Sequence, residues 1–117
     1  MSITRLALGA RFCRAVVHDR TVYLSGMTAD DLSQGTAEQT RAVLAKIDTH
    51  LALAGSSKAM LLSATIWLRD IADFDAMNSA WDAWLDRDSM PVRATVEARL
   101  AGNGYRVEIM AIAARES

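Results

Sequence analysis

The sequence predicts an α+β domain in which one β-sheet carries two helices on a single face. Three observations lead there. Strand-like runs rich in β-branched residues occur five times, and two stretches show the three-and-four apolar spacing of a buried helix face. These segments follow one another as β-β-α-β-α-β-β. A chain of 117 residues sits near the commonest domain size, so one domain over residues 1–117 and one core are expected.

Residues 11–18 (RFCRAVVH) and 21–26 (TVYLSG) read as two strands of a hairpin turning at Asp19-Arg20. Residues 1–18 hold Arg5, Arg11 and Arg14 and no acid, as a mitochondrial presequence would, but they also alternate as a strand the fold needs. The polar stretch 28–35 ending in Gly35 is a loop. Thr36-Ala37-Glu38-Gln39 has capping-box spacing, and Val43, Leu44, Ile47 and Leu51 follow as one apolar face until Gly55 stops the helix. Residues 61–69 form a strand with Leu62, Ala64, Ile66 and Leu68 on one face and Leu61, Ser63, Thr65 and Trp67 on the other.

Asp73 caps a second helix whose stripe is Phe74, Met77, Trp81 and Leu85. Pro91 blocks further helix and opens a strand over 92–100. Its apolar members Val92, Ala94, Val96, Ala98 and Leu100 are expected to point inward, opposite Arg93, Thr95, Glu97 and Arg99. After a turn at 101–104, the last strand, 105–114, is apolar on both sides: Val107, Ile109, Ala111 and Ala113 on one, Met110 and Ile112 on the other. Two helices cover only one face of such a sheet. The second face must be buried by something else, and oligomerisation is the simplest candidate.

Composition narrows the function classes. The apolar fraction is 51% against 23% charged, which is globular rather than disordered. The formal net charge of −1 lacks the basic excess that phosphate neutralisation needs, so no nucleic-acid partner is expected. No apolar run approaches membrane-spanning length, so no membrane partner is expected either. Cys13 stands alone, which rules out an intrachain disulfide and points to a reducing, cytoplasmic setting. With no Cys/His pairing around it, Cys13 reads as a small hydrophobe in a strand. One cysteine and two histidines without a cluster leave no expected metal site. Trp67, Trp81 and Trp84 have the spacing of packing residues rather than of a stacking platform.

Four features recur in a particular order from about Phe12 to Ala114: Ser25-Gly26; Asp73-Phe74 followed by Asn78; Pro91-Val92-Arg93-Ala94-Thr95-Val96-Glu97; and Val107-Glu108-Ile109-Met110-Ala111-Ile112-Ala113. In that order and spacing the chain resembles the RidA/YjgF-like imine deaminase family. The resemblance implies a chorismate-mutase-like fold, a barrel-cored homotrimer, and ligand clefts between neighbouring subunits. It also implies metabolite damage control: hydrolysis of reactive enamines and imines, such as 2-aminoacrylate and 2-iminopropanoate, to 2-keto acids and ammonia without cofactor or metal.

Within that resemblance Arg93 matches the substrate arginine, and a guanidinium fork suits a carboxylate. Read from alternation alone, Arg93 is better taken as one charge on a wet strand face; its position within the family motif reverses that reading. Glu108 matches the carboxylate that holds the attacking water; the plain alternative is a surface charge paired with Arg106 or Arg99. Arg93 and Glu108 are thus the implied catalytic residues, with Phe12, Gly26, Met27, Arg93 and Thr95 lining the substrate. Phe12 stands where many members have tyrosine, Met27 where glutamine is usual, and Ala10-Arg11 replaces Gly-Pro, so the pocket rim is expected to be more apolar. Asn78 matches a common family asparagine and is expected to bond nearby backbone. Two other classes of function remain: a non-catalytic trimer that binds small carboxylates or regulates a partner, and the RNA cleavage or translation inhibition ascribed to some relatives. Near-neutral charge and the absence of a histidine acid/base pair disfavour the last.

Overall fold

In the computed structural model, which describes residues 2–116, the elements run β1 (Ile3–Leu8), β2 (Cys13–His18), β3 (Thr21–Leu24), α1 (Thr36–Leu53), β4 (Leu61–Leu68), α2 (Phe74–Trp84), β5 (Val92–Glu97) and β6 (Val107–Ala114). One sheet takes all six strands in the order β1-β2-β3-β6-β4-β5, and only β4 and β5 pair in parallel. The fold class is the expected one, a mixed sheet with two helices. No helix is long and apolar enough to cross a membrane.

The element order differs by one strand at the start. The arginine-bearing segment splits at Gly9, whose N–H donates to the Phe12 carbonyl at 2.9 Å, and the residues before it form β1 against β2. Leu6 pairs with Ala15 and packs on the core, which accounts for the added strand. The β2–β3 hairpin turns as expected, with Asp19 at φ 55°, a left-handed conformation that a short polar side chain tolerates.

The capping box does not form. Gly35 occupies the N-cap, and the Thr36 hydroxyl donates instead to Asp73 Oδ2 at 2.7 Å. Gln39 is 1% exposed and turns toward the segment before β6. Its Nε2 donates to the carbonyls of Gln34 (3.1 Å) and Gly104 (3.0 Å), and its Oε1 accepts the Arg106 N–H (3.0 Å). Buried backbone groups there need partners, and that need outweighs a cap at a helix end. Gly55, at φ 79°, ends α1 in the expected way.

Two strands place their side chains differently from expectation. A bulge between Leu61 and Ser63 shifts the alternation of β4, burying Leu61 and leaving Leu62 49% exposed. In β5 the sides are reversed. The register Ala64↔Arg93 and Ile66↔Thr95 sets Arg93 and Thr95 on the face that carries the core, while Val92 (73% exposed), Ala94 and Val96 (47%) point the other way. The strand ends at Glu97, before Ala98 and Leu100.

The core joins Val107, Ile109, Ala111 and Ala113 of β6 to Ala64, Ile66 and Leu68 of β4, Val22 and Leu24 of β3, the apolar faces of α1 and α2, and Met27. Each large side chain fully withdrawn from water here contributes about 1.5–3 kcal/mol. The opposite sheet face bears Tyr23, Thr65, Trp67, Val92, Ala94, Val96, Met110 and Ile112, an apolar surface on which neither helix packs.

Candidate functional site

Arg93 sits at the start of edge strand β5, under α2. The β4-α2-β5 crossover lays one helix face over the strand, and three residues of that face hold the guanidinium. Nη1 donates to Asn78 Oδ1 at 2.8 Å, and Cζ lies 5.2 Å from the Trp81 ring centre and 5.8 Å from that of Phe74. Burial holds the Arg93 pKa below the ordinary arginine value, while the Asp82 carboxylate pulls the other way. An arginine so placed still carries its charge at neutral pH. Arg93 is therefore not a charge on a wet face, but a half-buried cation presented by α2.

Asn78 departs from expectation: its side chain serves Arg93 rather than nearby backbone. The spacing Phe74, Asn78, Trp81 (i, i+4, i+7) was the available signal, because it puts all three on one helix face. Thr95 lies two residues from Arg93 on the same strand face, and its Oγ1 is buried with no hydrogen-bond partner among the described residues.

Glu108 belongs to the other sheet face. It pairs with Trp67 in the β4–β6 ladder, and its carboxylate makes neither ion pair nor hydrogen bond among the described residues, with Arg99 and Arg106 included. Gly26 explains its placement. A Cβ added at Gly26 would collide with the Glu108 carboxylate, so the missing side chain leaves the space that the carboxylate fills. The hydroxyl of neighbouring Ser25 is buried and without a partner among the described residues.

Met27 is not on an exposed rim. It is 2% exposed, and its N–H and C=O pair with Ile109 at 2.9 and 3.1 Å, so its thioether enters the core. From there it forms the floor of a cavity of about 320 Å³ whose walls include Arg14, Lys46, His50 and Tyr105. Phe12, 55% exposed, stands at the β1–β2 turn with the Arg14 guanidinium carbon 5.0 Å above its ring. The Arg14 carbonyl accepts the Ser25 N–H at 2.9 Å, which brings Phe12 and Gly26 to the same end of the sheet.

The expected residues thus fall into two groups. Phe12, Gly26 and Glu108 share one end of the sheet, whereas Arg93 and Thr95 lie under α2 at the β5 edge. Glu108 pairs with Trp67, which pairs with Val96, three residues from Arg93 and two strands away. At 3.3 Å per residue and 4.8 Å per strand, the two Cα atoms are separated by roughly 14 Å. Their side chains also leave from opposite faces, so one chain does not bring them to one small ligand. Among the described residues no three His, Cys, Asp or Glu side chains gather as a metal site.

Comparison with known proteins adds what geometry does not. Residues 2–115 match the family model described as endoribonuclease L-PSP. The chain is 45% identical over 114 residues to the RutC family protein YoaB of Escherichia coli strain K12, covering 97% of this chain and 99% of that one. It is 34% identical over 108 residues to the 2-iminobutanoate/2-iminopropanoate deaminase of Bos taurus, covering 87% and 78%. The crystal structure of a YjgF family member from Neisseria meningitidis superposes with a TM-score of 0.96 at 44% identity, covering 100% and 98%. A member of the YjgF/YER057c/UK114 family from Mycobacterium tuberculosis gives 0.89 at 28% identity, covering 97% and 99%.

Proposed function

The chain belongs to the YjgF/RidA family, and from that premise we propose that it hydrolyses reactive 2-imino acids to 2-keto acids and ammonia in clefts between copies of itself. The observation that carries this reading is Arg93: a charged fork, half-buried and held by α2, with N–H donors beyond the one given to Asn78. Such a fork fits a planar carboxylate. Relatives named 2-iminobutanoate/2-iminopropanoate deaminase supply the reaction class.

In this reading Arg93 binds the substrate carboxylate and sets the adjacent imine carbon in a fixed direction. Thr95 lies beside it on the same strand face, its hydroxyl buried and without a partner among the described residues. Glu108 orients a water and takes a proton from it as the oxygen adds to the imine carbon. That proton passes to nitrogen and gives a carbinolamine. Glu108 then takes the carbinolamine hydroxyl proton and returns it to the amino nitrogen as the C=O bond forms and the C–N bond breaks, so ammonia departs and the 2-keto acid remains. The imine carbon is already electrophilic, so positioning accounts for most of the work and no enzyme nucleophile is required. Phe12, lacking a hydroxyl, contributes an apolar wall.

Because Arg93 and Glu108 leave opposite sheet faces, each site takes its arginine from one copy and its glutamate from a neighbour. A homotrimer that packs the open faces around a central barrel would also withdraw Val92, Val96 and Met110 from water. We place this assembly in the cytoplasm, working without metal, cofactor or nucleic acid.

The test is ammonia and keto-acid release from freshly generated 2-iminopropanoate by the native chain and by Arg93→Ala. Acceleration that is lost in the variant supports the deaminase. No acceleration over the uncatalysed rate, with bulkier imino acids tried as well, would leave a trimer that binds small carboxylates.

A further inference from the structure

We infer that Asn78 is a positioning residue for Arg93, fixing which edge of the guanidinium is offered to a ligand. The inference rests on the reading of Arg93 as the carboxylate-binding group.

A free arginine side chain samples many rotamers, and ordering one against a carboxylate consumes part of the binding free energy. Here the order is present before any ligand arrives. Asn78 Oδ1 accepts from Nη1 at 2.8 Å and occupies one donor of the fork. Trp81, 5% exposed and fixed in the core, lies 5.2 Å from Cζ, and Phe74 lies 5.8 Å from it. The amide thus limits rotation within the guanidinium plane, and the rings limit movement out of it. The donors away from Asn78 are left for an incoming anion.

The choice of an amide follows from charge. Asp at this position would hold the fork equally well but would neutralise it, drawing the guanidinium toward its own carboxylate. Alanine would keep the charge and release the orientation. Asn provides an acceptor without a charge, which suits a cation whose purpose is to bind an anion from elsewhere. The Asp82 carboxylate acts on Arg93 through space, without a hydrogen bond to it.

The test compares native chain, Asn78→Ala and Asn78→Asp by imine turnover and by titration with benzoate, a planar carboxylate probe that undergoes no reaction. A hydrogen bond to a charged group predicts a KM and a benzoate Kd raised about tenfold or more in Asn78→Ala, with kcat within about twofold. Asn78→Asp should weaken benzoate further, since its negative charge competes for the same fork. Folding is followed by the melting temperature, and binding is measured where all three chains are folded. A merely structural asparagine would lower the melting temperature but leave KM and Kd unchanged, and that result overturns the inference. Turnover lost in Arg93→Ala with KM unaltered in Asn78→Ala sinks the positioning role alone. Benzoate binding that weakens in Asn78→Ala without any native turnover sinks the deaminase reading and keeps the positioning role. A native chain that neither turns over imines nor binds benzoate removes both.

Discussion

If each site draws Arg93 from one copy and Glu108 from its neighbour, two inactive variants should repair one another. Arg93→Ala keeps an intact glutamate and Glu108→Ala an intact arginine. Complementation is expected because the two residues leave opposite sheet faces roughly 14 Å apart and cannot serve one ligand within a chain. In any closed ring with random mixing, a site is whole when one neighbour brings arginine and the other glutamate, which is roughly one site in four for equal amounts. Each variant alone should give little turnover, and their mixture, dissociated and reassembled together, about a quarter of the native rate per chain. The assay is keto-acid release from 2-iminopropanoate, with native chain put through the same cycle as reference. A mixture no more active than the average of its components would refute the shared site, given that mass spectrometry shows the copies to have exchanged.

Further expectations follow from single positions. Gly26→Ala should fold, since the obstructing group is the mobile end of a side chain, but displace the Glu108 carboxylate and lower kcat by tenfold or more, on the order of a lost positioning group; unchanged kcat would detach Glu108 from catalysis. Gln39→Ala strips partners from three backbone groups at a buried position and should cost about 2–4 kcal/mol, visible as a lower urea midpoint. Val96→Asp places a charge on the open sheet face and should leave monomers at micromolar concentration in sedimentation velocity, with the secondary structure retained by circular dichroism; an unaltered oligomer would put the interface elsewhere. Arg93→Lys should not restore benzoate binding, because a point charge lacks the fork that Asn78 and a carboxylate share.

Much of this fold was legible in the residue pattern, and the failures have physical causes. Helical spacing marked α1 and α2, and Gly55 marked the end of α1, because local backbone preference decides such features. Alternation was also read correctly as two faces over the part of 92–100 that is strand, Val92–Glu97, but the apolar face was assigned inward. That rule holds only when a chain buries its apolar residues against itself. In β5 the parallel pairing with β4 sets Arg93 and Thr95 toward the core side and leaves Val92 and Val96 for another surface. Register across strands and the bulge at Leu61–Ser63 arise from distant pairing that no local window contains. For the candidate site, position within a recurring pattern singled out Arg93 and Glu108, yet it did not say that they diverge. Asn78 was given the wrong partner for a different reason: a polar residue on a helix's inner face is usually satisfied by backbone, and the crossover that lays α2 over β5 is a tertiary event.

The sheet order also dictates how the molecule can be built. β6 follows every other strand in sequence yet lies inside the sheet, hydrogen-bonded to β3 on one side and β4 on the other. Before it is inserted there are two unconnected ribbons: a meander of β1, β2 and β3, formed from neighbouring residues, and a parallel pair of β4 and β5, joined through α2. The meander closes early because its loops are short. The two halves become one structure only when the segment from Val107 to Ala114 threads between them, so a nascent chain halted before that point would present two open, apolar strand edges at once. Such edges invite pairing with other chains. The step that completes the sheet is therefore also the one that removes its main hazard for aggregation.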